Sequence, residues 1–395
     1  MHIHTFERAD GQKRHLLLDQ YEAVVDLPTR FGFAFAGRTR YSRRTVLEYI
    51  KVLKAFCIEL SQRGFEGAAR LDEALATIGP FIVEEWFIRL RGQGKKGSTL
   101  RFRDAVLKKF MEWLTTQEAG QVRHPSDHPY SDGQLKTTAP HPPAVRYLLY
   151  SEVSDFIRCG LHDESQRCLV HFMYDTGARV SEVARVKRVD LPDLTLYPEF
   201  VMYFPLTLMG SKGRGDAIKE RLTIISRPML ERLLKLHNNW RKYMQAQTLH
   251  SPDQMPAFLN SLGQPIATGA IQKLIQTASQ RLQRAGKLLK PIYSHRLRHG
   301  TAVSILQSNH GRDYLENLVV CQRALGHTSI RTTERYGMIP APIIAQMRQL
   351  GSQHGFMERY QEANYIYEQS FKPQRNHTEN RGHGCRHRNA KRNQS

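Results

Sequence analysis

Apolar positions recur along most of the chain at the three- and four-residue spacing of amphipathic helices. Behind Ser42, whose hydroxyl suits an N-cap, Val46, Tyr49, Ile50, Leu53, Phe56, Cys57 and Leu60 share one helical face. Pro80 opens a second helix over Phe81 to Arg91, and the polar run Gly92 to Ser98 ends it. A third helix is predicted from about Thr99 to Gln117, with Val106, Leu107, Phe110, Met111 and Leu114 on its apolar side.

The pattern then breaks. Residues 118 to 146 contain Pro125, Pro129, Pro140, Pro142 and Pro143 among Gly, Ser, Asp and His, which predicts an extended linker or a surface loop. Beyond it, Ser151 suits the N-cap of a helix carrying Val153, Phe156 and Ile157, and a second helix is predicted from Asp163 to Tyr174, ending at the Thr176-Gly177 turn. Two β-rich runs, Phe200 to Met209 and Ile218 to Ile225, flank Gly210 to Asp216 and read as a hairpin with Lys212 at its tip. Helices are expected again over about Ser226 to Gln247 and Thr268 to Ala285, and after Pro340 and Pro342 with Ile343, Ile344, Met347 and Leu350. The whole predicts a mainly α protein with a small antiparallel β-sheet. Its expected parts are an N-terminal segment (1–28), a helical domain (29–125), a Pro-rich linker (126–146), a second domain (147–350) and a C-terminal helix with a basic tail (351–395).

Composition narrows the partner. The 395 residues suffice for two cores, and a net charge of +21 calls for a polyanion, either nucleic acid or an anionic membrane surface. No apolar run approaches the ~20 residues of a membrane span. The start, Met1-His-Ile-His-Thr-Phe-Glu, lacks a basic-then-apolar signal layout. A cytoplasmic, nucleoid-associated protein is expected. Cys57, Cys159, Cys168, Cys321 and Cys385 are odd in number and irregular in spacing, as befits reduced thiols. The last 25 residues, with seven Lys and Arg against one Glu, read as a disordered basic tail.

The candidate chemistry lies in Tyr293 to Tyr336. It opens Tyr-Ser-His295-Arg-Leu-Arg298-His299-Gly and closes Leu-Gly-His327 through Glu-Arg-Tyr336-Gly. On a helix, His295 and Arg298 would share a face, with the guanidinium able to fork onto a phosphate. Upstream, a glycine turn in Tyr174-Asp-Thr-Gly-Ala-Arg179-Val-Ser-Glu182 presents Arg179, and Glu182 is spaced to orient it; alone, that pair reads better as a helix-surface ion pair, and the other motifs reverse the reading. Attack on a phosphodiester needs a nucleophile, positive donors for the nonbridging oxygens and a proton donor for the leaving oxygen, and these residue types include all three. His295 and His299 also have metal-ligand spacing on a helix, as do His383, Cys385 and His387 within the tail, but no third ligand or general-base Glu stands beside the first pair, so no metal site is expected.

Taken together these motifs resemble the tyrosine recombinase (phage integrase) family: Thr-Gly-x-Arg-x-Ser-Glu at Arg179, a hairpin lysine at Lys212, His-x-x-Arg-His at His295, Leu-Gly-His at His327, and a tyrosine nine residues on at Tyr336. The resemblance covers about residues 147 to 350. It implies a two-domain, C-shaped clamp on double-stranded DNA, with a helical core-binding domain before the catalytic one. Tyr336 would be the nucleophile, forming a 3′-phosphotyrosyl link. Arg179 and Arg298 would clamp the phosphate and His327 would bond a nonbridging oxygen. Lys212 would be the general acid, with Lys219 and Arg214 as competitors by residue type; His295 would assist proton transfer, and His299 would be a helper. Neither cofactor nor metal is implied. A homo-tetramer on synapsed DNA is, together with accessory DNA-bending or directionality proteins.

The basic residues Arg43, Arg44, Lys95, Lys96, Arg101, Arg103, Lys108 and Lys109 of the first domain are expected to lie along the DNA backbone, although such a run also fits a solvated helix face. Two departures from the family stand out: a longer stretch at Ser308 to Glu316, and Ala178 where Leu is common. A type IB topoisomerase-like relaxase shares the chemistry, and a non-catalytic DNA-binding protein shares the charge.

Overall fold

The computed structural model describes residues 1–140 apart from 10, 37, 39 and 40, then 148–212, 218–308, 314–327 and 359–372, with side chains described except at 211, 212 and 314. The chain divides into two compact units, one reaching to Pro143 and the other starting at Ala144. Both are mainly helical with a two-stranded sheet. Among the described residues no helix is long and apolar enough to cross a membrane.

The N-terminal unit starts with an antiparallel hairpin, β1 (His2–Glu7) and β2 (Lys13–Leu18), in the register His2 to Leu18. Five helices follow: α1 (Asp26–Ala36), α2 (Arg43–Gln62), α3 (Ala68–Thr77), α4 (Pro80–Gly92) and α5 (Gly97–Leu114). The Ser42 hydroxyl accepts the Thr45 N–H at 3.1 Å and caps α2 as the sequence predicts. Within residues 1–28, Leu17, Val25 and Leu27 are buried in the same core as Phe56 and Phe110. Helix α1 escapes a propensity reading since Gly32 disfavours it, while Pro28 stands in the first turn, where its missing N–H removes no intrahelical bond. Packing overrides the glycine: Phe31 meets Phe110 and Trp113 at centroid distances of 5.3 and 5.5 Å, and a Cβ at Gly32 would lie 2.8 Å from Ile50 Cδ1.

The stretch 126–140, read from its prolines as an extended linker or a surface loop, is packed on the helical core. Tyr130 is buried and its hydroxyl donates to Asp104 at 2.7 Å; Thr137 donates to the same carboxylate through N–H and hydroxyl, both at 2.7 Å. A buried carboxylate satisfied by three donors makes the fold of this segment specific despite its prolines.

The C-terminal unit comprises α6 (Tyr150–Gly160), α7 (Glu164–Thr176), the short α8 (Val180–Val183), β3 (Tyr203–Lys212) paired with β4 (Ile218–Ser226), α9 (Arg227–Asn239), α10 (Arg241–Ala246), α11 (Thr268–Arg284), α12 (Ser294–Leu306), α13 (Tyr314–Leu325) and α14 (Arg359–Ser370). The single helix expected over 226–247 is thus two, broken at Trp240. Helix α6 starts one residue before Ser151, with the Leu149 N–H bonded to Glu152 at 2.9 Å. From Arg167 to Thr176 every residue of α7 is buried, so this helix is the axis of the core. The helical pattern of residues 343–350 lies outside the described residues.

Candidate active site

The site grows from the end of α7. Gly177 takes a left-handed conformation (φ 62°) that stops the helix, and a Cβ there would lie 2.7 Å from Leu325 Cδ2, so the turn is closed to larger residues. It delivers Arg179 to the N-cap of α8. Glu182, with a fully buried side chain, accepts the Arg179 N–H and its Nη1, both at 2.8 Å, while the Arg179 side chain stays 30% exposed. A second guanidinium, that of Arg221 on β4, meets the same carboxylate through Nε (3.0 Å) and Nη2 (2.9 Å). Burial alone would push the Glu182 carboxyl up, but Arg221 and then Arg179 hold it below the usual carboxylate value, so it is ionised.

Helix α12 supplies the second arm. His295, Arg298 and His299 share a face, and the two imidazole rings meet edge to face at 4.6 Å. Arg298 is buried; its Nη1 donates to the Gly177 carbonyl at 2.6 Å and its Nη2 to the Leu325 carbonyl. The third arm is the end of α13, where Gly326 (φ 61°) turns the chain and His327 donates its N–H to Gln322 at 3.0 Å.

Electrostatics joins the arms. Burial first, then Arg298 and Arg179, lower the His295 imidazole below its ordinary value; burial, Arg298, Arg179, Arg221 and His295 bring His327 to about 4; and burial, His295 and Arg298 bring His299 to about 4. All three rings are neutral at physiological pH, and the local positive charge comes from guanidinium groups. Such a pocket favours an anion, and neutral imidazoles in it can both donate and accept hydrogen bonds.

Six of the predicted residues, Arg179, Glu182, His295, Arg298, His299 and His327, are thereby brought together. Tyr336 lies outside the described residues, as do Arg331, Arg335, His383, Cys385 and His387. Lys212 ends β3, and its side chain is likewise outside the description. Among the described residues there is no group of three His, Cys, Asp or Glu suited to a metal ion.

In the N-terminal unit, Arg43, Arg44, Lys95 and Lys96 are exposed. The four cations of α5, expected to be exposed, are half-buried and engaged: Arg101 donates to the Thr137 carbonyl, Arg103 lies over the Trp86 ring, Lys108 bonds the Gly133 carbonyl at 2.5 Å, and Lys109 reaches Tyr41 at 3.3 Å. Packing of residues 130–137 on α5 draws in Arg101 and Lys108, while aromatic side chains of the helical core, Trp86 and Tyr41, take up Arg103 and Lys109. Arg221 was not foreseen. Its alternation with Thr223 and Ile225 puts the three on one strand face, but nothing in the sequence says that this face is the buried one and that Leu222 points out.

The phage integrase family matches residues 149–339. Tyrosine recombinase XerC of Lactobacillus delbrueckii subsp. bulgaricus is 30% identical over 326 residues, 79% of this chain and 94% of that protein. The chain belongs to the phage integrase family. This recombinase is also 30% identical to tyrosine recombinase XerD of Staphylococcus haemolyticus over 181 residues, 46% of this chain and 52% of that one. Its fold is shared with XerH site-specific recombinase bound to palindromic difH substrate (TM-score 0.52, 16% identity, 79% of this chain and 82% of that one). It is shared too with a lambda integrase (75–356) dimer bound to a COC′ core site (TM-score 0.51, 16% identity, 78% and 93%). The protein is a tyrosine-type site-specific recombinase.

Proposed function

We propose that this recombinase cuts and rejoins double-stranded DNA through Tyr336, without ATP or metal, inside the cell at its nucleoid. The phenol attacks the scissile phosphorus as its proton leaves; the P–O5′ bond breaks, giving a 3′-phosphotyrosyl ester and a 5′-hydroxyl that takes up a proton. The ester retains the phosphodiester bond energy, so attack by the 5′-hydroxyl of a partner strand reverses the step. Arg179 and Arg298, with His327, stabilise the charge on the nonbridging oxygens. Lys212 protonates the leaving oxygen and His295 handles the proton of the phenol.

The observation that carries this reading is the pair of bonds from Arg298, one to the Gly177 turn that presents Arg179 and one to Leu325 two residues before His327. They hold three anion-binding groups on separate chain segments beside each other. Arg179, the more exposed guanidinium, makes first contact with phosphate, and buried Arg298 adds a second positive charge beside it. Two duplexes cut twice require four protomers, hence a tetramer on synapsed DNA, with accessory DNA-bending proteins setting direction. Exposed Arg43, Arg44, Lys95 and Lys96 lie along the backbone of the bound duplex.

The test is covalent trapping on nicked, 5′-labelled duplexes tiled across the DNA flanking the gene. Wild type is expected to form a protease-sensitive adduct on a defined duplex. Tyr336→Phe should bind that duplex and form none; an adduct that survives this change rejects the assignment.

A further inference from the structure

We propose that Arg221 is a positioning residue of the reaction, fixing the turn that bears Arg179 against the turn that bears His327. Its side chain is 3% exposed and is enclosed by protein acceptors. Every nitrogen of the guanidinium is engaged within the site: Nε and Nη2 bind the two oxygens of Glu182, Nη2 also reaches the Gly177 carbonyl at 3.3 Å, and Nη1 donates to the Ala324 carbonyl. The aliphatic stem completes the link. A Cβ at Gly326 would lie 2.8 Å from Arg221 Cδ, so the turn into His327 rests directly on that stem.

Two arguments favour positioning over stability. A buried ion pair is a poor stabiliser, because desolvation offsets most of its attraction and apolar replacement is often neutral. Geometry is what the pair supplies. Glu182 accepts four hydrogen bonds, two from Arg221 and two from Arg179, so the orientation of Arg179 is set by a carboxylate that Arg221 holds still. Only a planar fork can bind a carboxylate in two places and two carbonyls besides; lysine, a point donor on a flexible stem, cannot.

The inference rests on the recombinase reading, and its test separates the two. Arg221→Met and Arg221→Lys are compared with wild type by single-turnover adduct formation on the trapped nicked duplex, by affinity for that duplex, and by thermal melting. Affinity is expected to stay within about threefold while the adduct rate falls about 100-fold for Met and about tenfold or more for Lys, the size of loss that a small misplacement of a reacting group brings. The rate of the Met variant should also climb more with pH than that of wild type, since burial, which raises the Glu182 carboxyl, is then opposed by Arg179 without Arg221. A folded Met variant with the wild-type rate overturns the proposal. If both variants fail to fold, the neutral pair Arg221→Met with Glu182→Gln is measured; a folded, binding, adduct-poor protein sustains the role, and failure of that pair to fold, or a wild-type rate, overturns it. Should wild type form no adduct on any duplex, the recombinase reading fails and a reaction-free readout decides. By NMR, the His327 ring should titrate higher in the Met variant, since the Arg221 charge is one of those that lower it, and an unmoved titration refutes the link.

Discussion

The Ser304 hydroxyl donates to the carboxylate of Glu362 at 2.6 Å, tying helix α12, which carries His295 and Arg298, to helix α14. Tyr174, three residues before Gly177, reaches the same carboxylate at 3.4 Å, and Arg359 donates to the Asp175 carbonyl. Helix α14 therefore braces two of the segments that form the site.

Glu362 gives this brace a pH dependence. Burial is the largest influence and raises its pKa to about 7, against which Ser304 and Arg359 pull only partly. The folded state thus binds a proton that the unfolded chain releases near 4.5, and stability falls as pH rises from about 4.5 to about 7. The full shift corresponds to about 3 kcal/mol. Glu362→Gln, which keeps an acceptor for Ser304, should leave stability at pH 5 nearly unchanged and raise it at pH 8; urea unfolding at both values checks this, and equal effects at the two would count against it.

The histidines act in the opposite direction. His299 and His327 sit at about 4 and His171 is pushed well below its ordinary value by burial and then Arg232, so the unfolded chain binds their protons first. Their contribution is complete above about pH 6.5 and is lost as pH falls toward 4. Replacing His327 with Gln should flatten the acid limb of the stability profile while lowering adduct formation at pH 7.5, measured by denaturation and single-turnover trapping.

Gly177 admits no side chain. Alanine there must adopt φ near 62° and place its Cβ 2.7 Å from Leu325 Cδ2. The expected cost is about 1–3 kcal/mol. Since Arg298 and Arg221 both bind the Gly177 carbonyl, the adduct rate should fall more than about tenfold even in protein still folded at the assay temperature.

Tyr130→Phe tests the packing of the proline-rich stretch. Removing the hydroxyl leaves Asp104 with Thr137 alone and should cost about 1–3 kcal/mol. Proteolysis should then begin within residues 126–140, whereas an unchanged cleavage pattern would mean that the hydroxyl is dispensable there.

Much of the site was legible because its residues sit in short local motifs. The Thr176-Gly177 turn, the three- and four-residue spacing of His295, Arg298 and His299, and the Gly326-His327 turn are fixed by nearest-neighbour backbone preferences, which a sequence displays directly. The helices α2, α4, α5 and α7 were legible for the same reason, since an apolar stripe with a capping residue needs no distant partner to be recognised. What the sequence could not decide was anything set by contacts between remote segments. Helix α1 forms against its own propensity because Phe31 and Phe35 are taken into a core built by α2 and α5. Prolines at 125–140 suggest a linker or a surface loop without choosing between them, and the bonds of Asp104 to Tyr130 and Thr137 are what fasten the segment. Arg221 is one strand cation among several until the tertiary structure buries it between Glu182, Gly177 and Ala324, because burial is a property of the assembled chain and a charge so placed is tolerated only where partners from elsewhere converge on it.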